Sequence, residues 1–166
     1  MNIKPNLAKD TYKNGAVREE TNSGYSYFLI ANLPDLNLVD GKTYTVSFVM
    51  KQSEKGCGKF NAGPLSHPPR VLMDRTEYEI KDRSSFKFTC DKSKQTSIAV
   101  YTDLVNRKAG VGATLKYVKI EEEGGELVYT PYINDLEPSK QAIFLAGGGI
   151  PRGVSTLDYQ GVIYVS

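Results

Sequence analysis

Turn-forming residues interrupt this chain about every ten residues, and the apolar stretches between them alternate with a period of two. Residues 43–51 show this pattern most clearly. Their apolar side chains fall on one face of an extended strand: Tyr44, Val46, Phe48 and Met50. We expect this face to line a core and the opposite face, with Thr45, Ser47 and Lys51, to be solvated. Helical periodicity is almost absent, which predicts an all-β chain.

Other stretches share this alternation and are predicted to be strands. In the predicted strand at residues 25–31, Phe28 and Ile30 point inward. Residues 2–7 are predicted to add a short opening strand. The remaining predicted strands are residues 25–31, 84–90, 96–102 and 113–121. A series of short strands separated by turns predicts a single β-sandwich.

The segment of residues 54–74 breaks the alternation with glycines and prolines: Gly56, Gly58, Gly63, Pro64, Pro68 and Pro69. We expect a long surface loop here, and long loops of sandwiches often carry function. The only histidine, His67, lies in this segment. No second histidine or cysteine at ligand spacing accompanies it, so we do not expect a zinc site.

The C-terminal residues 138–166 differ in character from the rest of the chain. Residues 142–146 are apolar, Gly147–Gly149 follow, and residues 159–165 are apolar and β-branched. A short hairpin, or an arm that pairs with a neighbouring subunit, would satisfy the backbone hydrogen bonds of two such stretches. We therefore predict a domain at residues 1–137, followed by a short β extension at 138–166 that serves oligomerisation.

Composition narrows the class of protein. A chain of 166 residues that is 40% hydrophobic can fill one core. Because 21 basic and 19 acidic side chains nearly cancel, nucleic acid is not an expected partner. We find no apolar run of the roughly 20 residues that span a bilayer and no secretory h-region, so we expect synthesis in a cytoplasm and no membrane insertion. Cys57 and Cys90 form no recognisable motif, and we expect both to be free thiols.

No motif for catalysis occurs in the chain. Hydrolytic general acid and base chemistry needs carboxylates held in a packed cleft. The acidic residues here fall in hydrophilic turns or in the run Glu121–Glu123, which we expect to be a solvated strand end. Neither cysteine carries the signature of a nucleophile. The chain is therefore predicted not to be an enzyme.

Three stretches of the chain are distinctive when taken together. Residues 41–48 read GKTYTVSF, and residues 86–89 read FKFT. Residues 113–121 read ATLKYVKIE and are followed by YTPY at residues 129–132. Together they resemble the carbohydrate-binding-module type of jelly roll found in tail, baseplate and fibre proteins of phages of Gram-positive bacteria, where the last stretch is similar to the closing strand and exit segment. Their order and spacing agree with one jelly-roll β-sandwich over roughly residues 1–135.

This resemblance implies a virion component, assembled in the bacterial host cytoplasm and acting as a homo-oligomer with other virion proteins. Its ligand would be a cell-wall or surface polysaccharide of the host. Relatives often place tryptophans near the second stretch and in the exit turn, whereas this chain has none and carries Tyr78 and Tyr129 near those positions. An assembly protein without a glycan ligand is therefore the alternative, and an accessory domain of a carbohydrate-active enzyme is a third.

The candidate carbohydrate-binding residues are tyrosines on the solvated face of one sheet. Tyr25, Tyr27 and Tyr101 would form a stacking platform, with Lys51 and Asp103 as hydrogen-bonding neighbours. A tyrosine offers a ring for contact and a hydroxyl that tolerates water, which suits a shallow polar ligand. The competing interpretation is that these are ordinary cross-strand tyrosines that stabilise a half-exposed sheet.

Jelly rolls of the kind that this chain resembles sometimes hold a structural calcium ion between an early loop and the closing strand. Calcium takes about six or more oxygen ligands. Asp10, Asn22, Asp40 and Glu121 are candidates to supply some of them. Their spacing is not diagnostic, and no other cofactor is expected.

Overall fold

The computed structural model describes residues 4–8, 16–18, 27–54, 56–102, 112–125 and 127–130. Within them, a single 3-10 turn at Leu33–Asp35 interrupts an otherwise all-β chain. No helix in these ranges is long and apolar enough to cross a membrane. The strands are β1 (Ala16–Arg18), β2 (Tyr27–Asn32), β3 (Thr43–Gln52), β4 (Lys59–Ser66), β5 (Glu77–Glu79), β6 (Ser84–Thr89), β7 (Gln95–Tyr101) and β8 (Ala113–Glu122).

The strands form two antiparallel four-stranded sheets with a jelly-roll order. One sheet has the order β1-β8-β3-β6, and we call it the first sheet. The second sheet has the order β2-β7-β4-β5. Among the described strands, every connection except the one from β4 to β5 joins a strand of one sheet to a strand of the other. The chain therefore crosses repeatedly from one layer to the other. The predicted jelly-roll β-sandwich is confirmed, whereas the extension predicted at residues 138–166 lies outside the described residues.

The core lies between the two sheets and is rich in phenylalanine. Phe48 of the first sheet meets Phe60 of the second, with ring centroids 5.3 Å apart in an edge-to-face arrangement. The four side chains predicted to point inward from β3 are all buried in this core, as is Phe28 of β2. Ile30 is only partly buried, because a β-bulge between Leu29 and Ala31 shifts the register of β2 against β7.

Two predicted surface regions are wrong. Thr45 and Ser47 are buried rather than solvated, because Arg83 and the segment after β8 cover their face of the first sheet. The expected loop at residues 54–74 contains the buried strand β4, which pairs with β7 from Asn61 to Ser66. Pairing with a neighbouring strand thus overrides the local preference of Gly63 and Pro64 for a turn.

The predicted opening strand is also wrong for its described part. Residues 4–8 run beside β8 but form no strand. Leu7 donates one main-chain hydrogen bond to Ile120 O, whereas Ile120 N donates to the side-chain oxygen of Asn6. The amide nitrogen of Asn6 also donates to Val118 O and Thr130 O. A buried side chain therefore replaces the regular ladder and joins three segments of the chain.

The turn from β6 to β7 is organised by one carboxylate. Oδ1 of Asp91 accepts hydrogen bonds from the backbone and the hydroxyl of Ser93, and Lys94 Nζ lies 3.0 Å from Oδ2. Hydrogen bonds to the charged form hold the pKa of Asp91 at about 2, with the Ser93 hydroxyl as the largest cause and Lys94 next.

We predict that an NMR titration will find the Asp91 carboxyl titrating at about pH 2 and that Ser93→Ala will raise this pKa toward its ordinary value. Because the folded pKa is depressed, the contribution of Asp91 to stability is present above the unfolded pKa and is lost as pH falls through about 2. Ser85→Ala, in the preceding strand, is the control and should leave the titration unchanged. An Asp91 pKa that is equal in Ser93→Ala and the wild type would contradict this account.

Candidate binding surface

Two tyrosines stack on the outer face of the second sheet. Tyr27 of β2 lies directly opposite Tyr101 of β7, and their rings are 5.3 Å apart between centroids with an interplanar angle of 26°. Such a cross-strand aromatic pair stabilises both side chains in one orientation. Tyr27 is 38% exposed, whereas Tyr101 is only 7% exposed. The ring that a ligand can reach is therefore that of Tyr27, with Tyr101 as its support.

The exposed apolar surface continues along the edge strand β2. Leu29 follows Tyr27 on the same face, is paired with Ala99 and is 44% exposed. At the following residue the β-bulge changes the register, so Ala31 lies opposite Ile98 instead of continuing the outer row. Tyr27 and Leu29 thus form a short apolar strip, which we call the β2 strip.

Charged side chains lie further along the same face, on β4 and β5. The register places Tyr101 beside Asn61 of β4 and Asn61 beside Glu77 of β5. Lys59 Nζ lies 2.8 Å from Glu77 Oε1 and 3.7 Å from a carboxylate oxygen of Glu79. The hydrogen bond with Glu77 raises the pKa of Lys59 and is the largest cause of the shift. These partly exposed groups supply hydrogen-bond donors and acceptors two and three strands away from Tyr27.

The segment after β4 covers the middle of the same face. Ser66 N donates to Val71 O, and Met73 N donates to Pro64 O, so this segment folds back along the strand. Leu72 thereby reaches the sheet and forms a small buried cluster with Leu65, Ala99 and Tyr101. This covering explains why Tyr101, which we expected on a solvated face, is buried.

The structure brings together only part of the predicted site. Tyr27 and Tyr101 are in contact. Lys51 is exposed but lies on β3 of the first sheet, so it is not a neighbour of the tyrosines in their sheet. Tyr25 and Asp103 lie outside the described residues. Whether these side chains bind carbohydrate stays a prediction.

Sequence reasoning missed Leu29 and the charged groups on β4 and β5. The signal for Leu29 was present, since it follows Tyr27 by two residues in a predicted strand and so shares its face. Lys59, Glu77 and Glu79 could not be found, because β4 was taken for a loop and nothing local indicates which strands lie beside it.

A second group of polar side chains lies buried on the outer face of the first sheet. A nitrogen of the Arg83 guanidinium donates to Ser47 Oγ at 2.8 Å and to Tyr117 O at 3.0 Å. The guanidinium also lies over the ring of Tyr129, 5.8 Å from its centroid. Burial lowers the pKa of Arg83 to about 10, opposed by the carboxylate of Glu121, so Arg83 remains charged at neutral pH.

The same buried group contains an ion pair. Lys119 Nζ lies 2.8 Å from Glu121 Oε2, and the two side chains are 0% and 1% exposed. Lys119 also donates to Val128 O, which belongs to the segment that crosses this face. The predicted solvated strand end at Glu121–Glu123 is therefore wrong for Glu121, whereas Glu122 and Glu123 are exposed and pair with Lys42 and Lys87.

The candidate calcium ligands are not assembled by the described part of the chain. Asp40 Oδ1 accepts a hydrogen bond from Lys92 N, while Glu121 faces the ammonium group of Lys119, which opposes a cation there. Asp10 and Asn22 lie outside the described residues. Among the described residues, no group of three or more histidine, cysteine, aspartate or glutamate side chains is placed to hold a metal. Cys57 is exposed, Cys90 is buried, and both are free.

No protein-family model matches this chain, and no curated protein matches it. Among solved structures, the chain is similar to "BiXyn10A CBM1 APO", a carbohydrate-binding module of a xylanase in its apo form. The two are 16% identical, and the match covers 71% of this chain and 88% of the other with a TM-score of 0.42.

Proposed function

We propose that this chain is a phage virion component, of the tail, baseplate or a fibre, that binds host cell-surface carbohydrate through the β2 strip. The observation that carries the carbohydrate part is the Tyr27–Tyr101 stack, which presents one exposed ring on the outer face of the second sheet. The phage part is supported by the sequence stretches at residues 41–48, 86–89 and 113–121. The protein would be non-catalytic, would be assembled in the bacterial cytoplasm and would act as part of the virion.

The chemistry of the strip suits a sugar ring. A pyranose has an apolar face that can rest on the ring of Tyr27 and the side chain of Leu29. Lys59 and Glu77 lie two and three strands from Tyr27, about 10 and 14 Å away at the usual strand spacing, so they can exchange hydrogen bonds with further sugar units of a polysaccharide rather than with the ring on Tyr27. One shallow contact of this kind is weak. Many copies on one particle would raise the avidity by a factor of about 10² to 10⁴ through effective concentration.

We predict that Tyr27→Ala will weaken binding of the oligomeric protein to purified host cell walls by about tenfold or more. The loss of one stacking contact, worth about 0.5–1.5 kcal/mol, sets the scale for a single site. A pull-down with host cell walls and a glycan array measure the effect. Tyr101→Ala is a poorer test because this ring is buried and its loss would also affect folding.

Lys51→Ala is the matched control for this experiment. It removes an exposed side chain that the sequence grouped with the tyrosines but that lies on the first sheet, so it should bind cell walls like the wild type. Equal binding by Tyr27→Ala and the wild type would exclude the β2 strip as the carbohydrate site.

The alternative is a purely structural virion protein without a glycan ligand. It is favoured by the aliphatic character of the exposed apolar groups, since Leu29, Val71 and Met73 suit a protein surface as well as a sugar. The absence of tryptophan points the same way. Failure of the wild-type oligomer to bind any cell wall or arrayed glycan would support this alternative and overturn carbohydrate binding.

A further inference from the structure

Strand β6 is an edge of the first sheet, and its outer backbone groups are unpaired among the described residues. The register fixes which groups these are. Cys90 N donates to Lys42 O, and Gly41 N donates to Cys90 O, so Cys90 bonds toward β3. In an antiparallel ladder alternate residues bond to the same neighbour, so Phe88 and Phe86 also bond toward β3.

The intervening residues therefore point their N–H and C=O groups away from β3. Thr89 O is used by the side chain of Gln95, which confirms the direction. The N–H and C=O groups of Ser85 and Lys87 and the N–H of Thr89 face outward without a strand beside them. They form a template for one more antiparallel or parallel strand.

A cleft of about 340 Å³ lies along this edge. It opens between β6 and the segment that follows β4, and its apolar lining includes Ala62, Pro64, Met73 and Phe88. Met73 is one of the exposed large apolar side chains of the molecule. The sandwich is thus incompletely closed here, at a place where the side chains of an added strand would enter between the two sheets.

The lysine on this edge does not block it. Edge strands are commonly protected by a lysine whose charge deters pairing. Lys87 Nζ instead lies 2.6 Å from Glu123 Oε1. Glu123 is bonded to Thr43 O on the opposite side of β3, so the Lys87 side chain is drawn across β3 and away from the free edge.

We propose that the β6 edge is the docking site for the chain's own C-terminal segment, residues 159–165. Apart from Gln160 and Gly161, this segment is aromatic or β-branched, so it suits a strand, and its alternate side chains would contact the apolar part of the cleft lining. Residues 131–158 separate it from Thr130, the last described residue. At up to about 3.3 Å per residue, a stretch of that length can cover far more than the roughly 30 Å diameter of a small domain, so the segment can reach the edge. The inference does not depend on carbohydrate binding.

The test is amide hydrogen exchange of the full chain, followed residue by residue by NMR. In the wild type, we expect the amides of Ser85, Lys87 and Thr89 to be protected. The double variant Ile163→Asp/Tyr164→Asp should accelerate their exchange at least tenfold. Neighbouring side chains of a strand point to opposite faces. Whichever of the two faces of the docked segment is turned toward the cleft, one of the two aspartates would therefore enter it.

Two controls make the result specific to the edge. The amides of Phe86 and Phe88 bond toward β3, so their exchange should be unchanged, which also shows that the variant is folded. Ser166→Asp adds a charge beyond the segment and should behave like the wild type. Edge amides that exchange equally fast in the wild type and the double variant would overturn the proposal.

Two further results separate this inference from the proposed function. Protection that appears only after host cell-wall polysaccharide is added would overturn docking of the segment and assign the cleft to the glycan. Light scattering on the same sample gives the mass. Protected edge amides in a monomer would support docking within one chain and count against oligomerisation through this segment, while leaving the carbohydrate test on Tyr27 unaffected.

Discussion

Replacing Lys119 by methionine is expected to lower the free energy of unfolding by about 3–5 kcal/mol. The substitution keeps an unbranched side chain one heavy atom shorter, but it leaves the carboxylate of Glu121 buried without its ion-pair partner. It also leaves Val128 O without the hydrogen bond from Nζ. Urea denaturation at neutral pH measures the loss, and the slope of the transition shows whether the folded state remains equally compact.

The double variant Lys119→Met/Glu121→Met is the decisive comparison. An apolar pair of similar volume removes both charges together, and such replacements are often neutral or stabilising. We expect it to recover most of the stability lost in Lys119→Met, with a remaining deficit from the unpaired Val128 carbonyl. If Lys119→Met alone were as stable as the wild type, the burial of this ion pair would be contradicted.

The buried pair shows where sequence reasoning fails in this fold. Lys119 and Glu121 alternate with Val118 and Ile120, which is the pattern of a strand with one wet face. The side chains are buried because residues 127–130 return across that face and Arg83 arrives from the loop before β6. Both are tertiary contacts, and no local rule predicts them.

Most of the long strands were predictable because apolar and polar residues alternate along each of them, a pattern that can be read without knowing which strands are neighbours. Strand β8 begins at the predicted Ala113 and β6 at the predicted Ser84. The short strands β1 and β5 were not predicted, and neither was β4, whose sequence places Gly63 and Pro64 inside a central strand. The covering segment packs directly against Gly63, since a Cβ there would lie in ordinary contact with Leu72 at 3.6 Å.

For the candidate site, the sequence predicted the sheet face on which the tyrosine side chains lie but not how exposed each side chain is. Alternation correctly placed Tyr27 and Tyr101 on the face opposite the core. It could not show that Leu72 folds over Tyr101, or that Lys51 belongs to the other sheet. The sequence therefore predicted a pair of neighbouring tyrosines, while the structure exposes Tyr27 and buries Tyr101.

Phe48→Ala is expected to lower the free energy of unfolding by about 3–5 kcal/mol, the usual cost of deleting a buried phenylalanine ring. Phe48 is fully buried and touches Phe60 of the opposite sheet and Phe86 of the adjacent strand, so its loss opens a cavity between both layers. Chemical denaturation gives the value. Val39→Ala, at an exposed loop position, is the control and should change stability by no more than about 0.5 kcal/mol.

Phe48→Ala also distinguishes an effect on stability from an effect on carbohydrate binding. Phe48 lies between the sheets, whereas Tyr27 lies on the outer face, so Phe48→Ala protein that remains folded should bind cell walls like the wild type. Tyr27→Ala should show the reverse, with weaker binding and little change in the denaturation midpoint. If Phe48→Ala left the unfolding free energy within about 1 kcal/mol of the wild type, the shared core that joins the two sheets would be the wrong description of this fold.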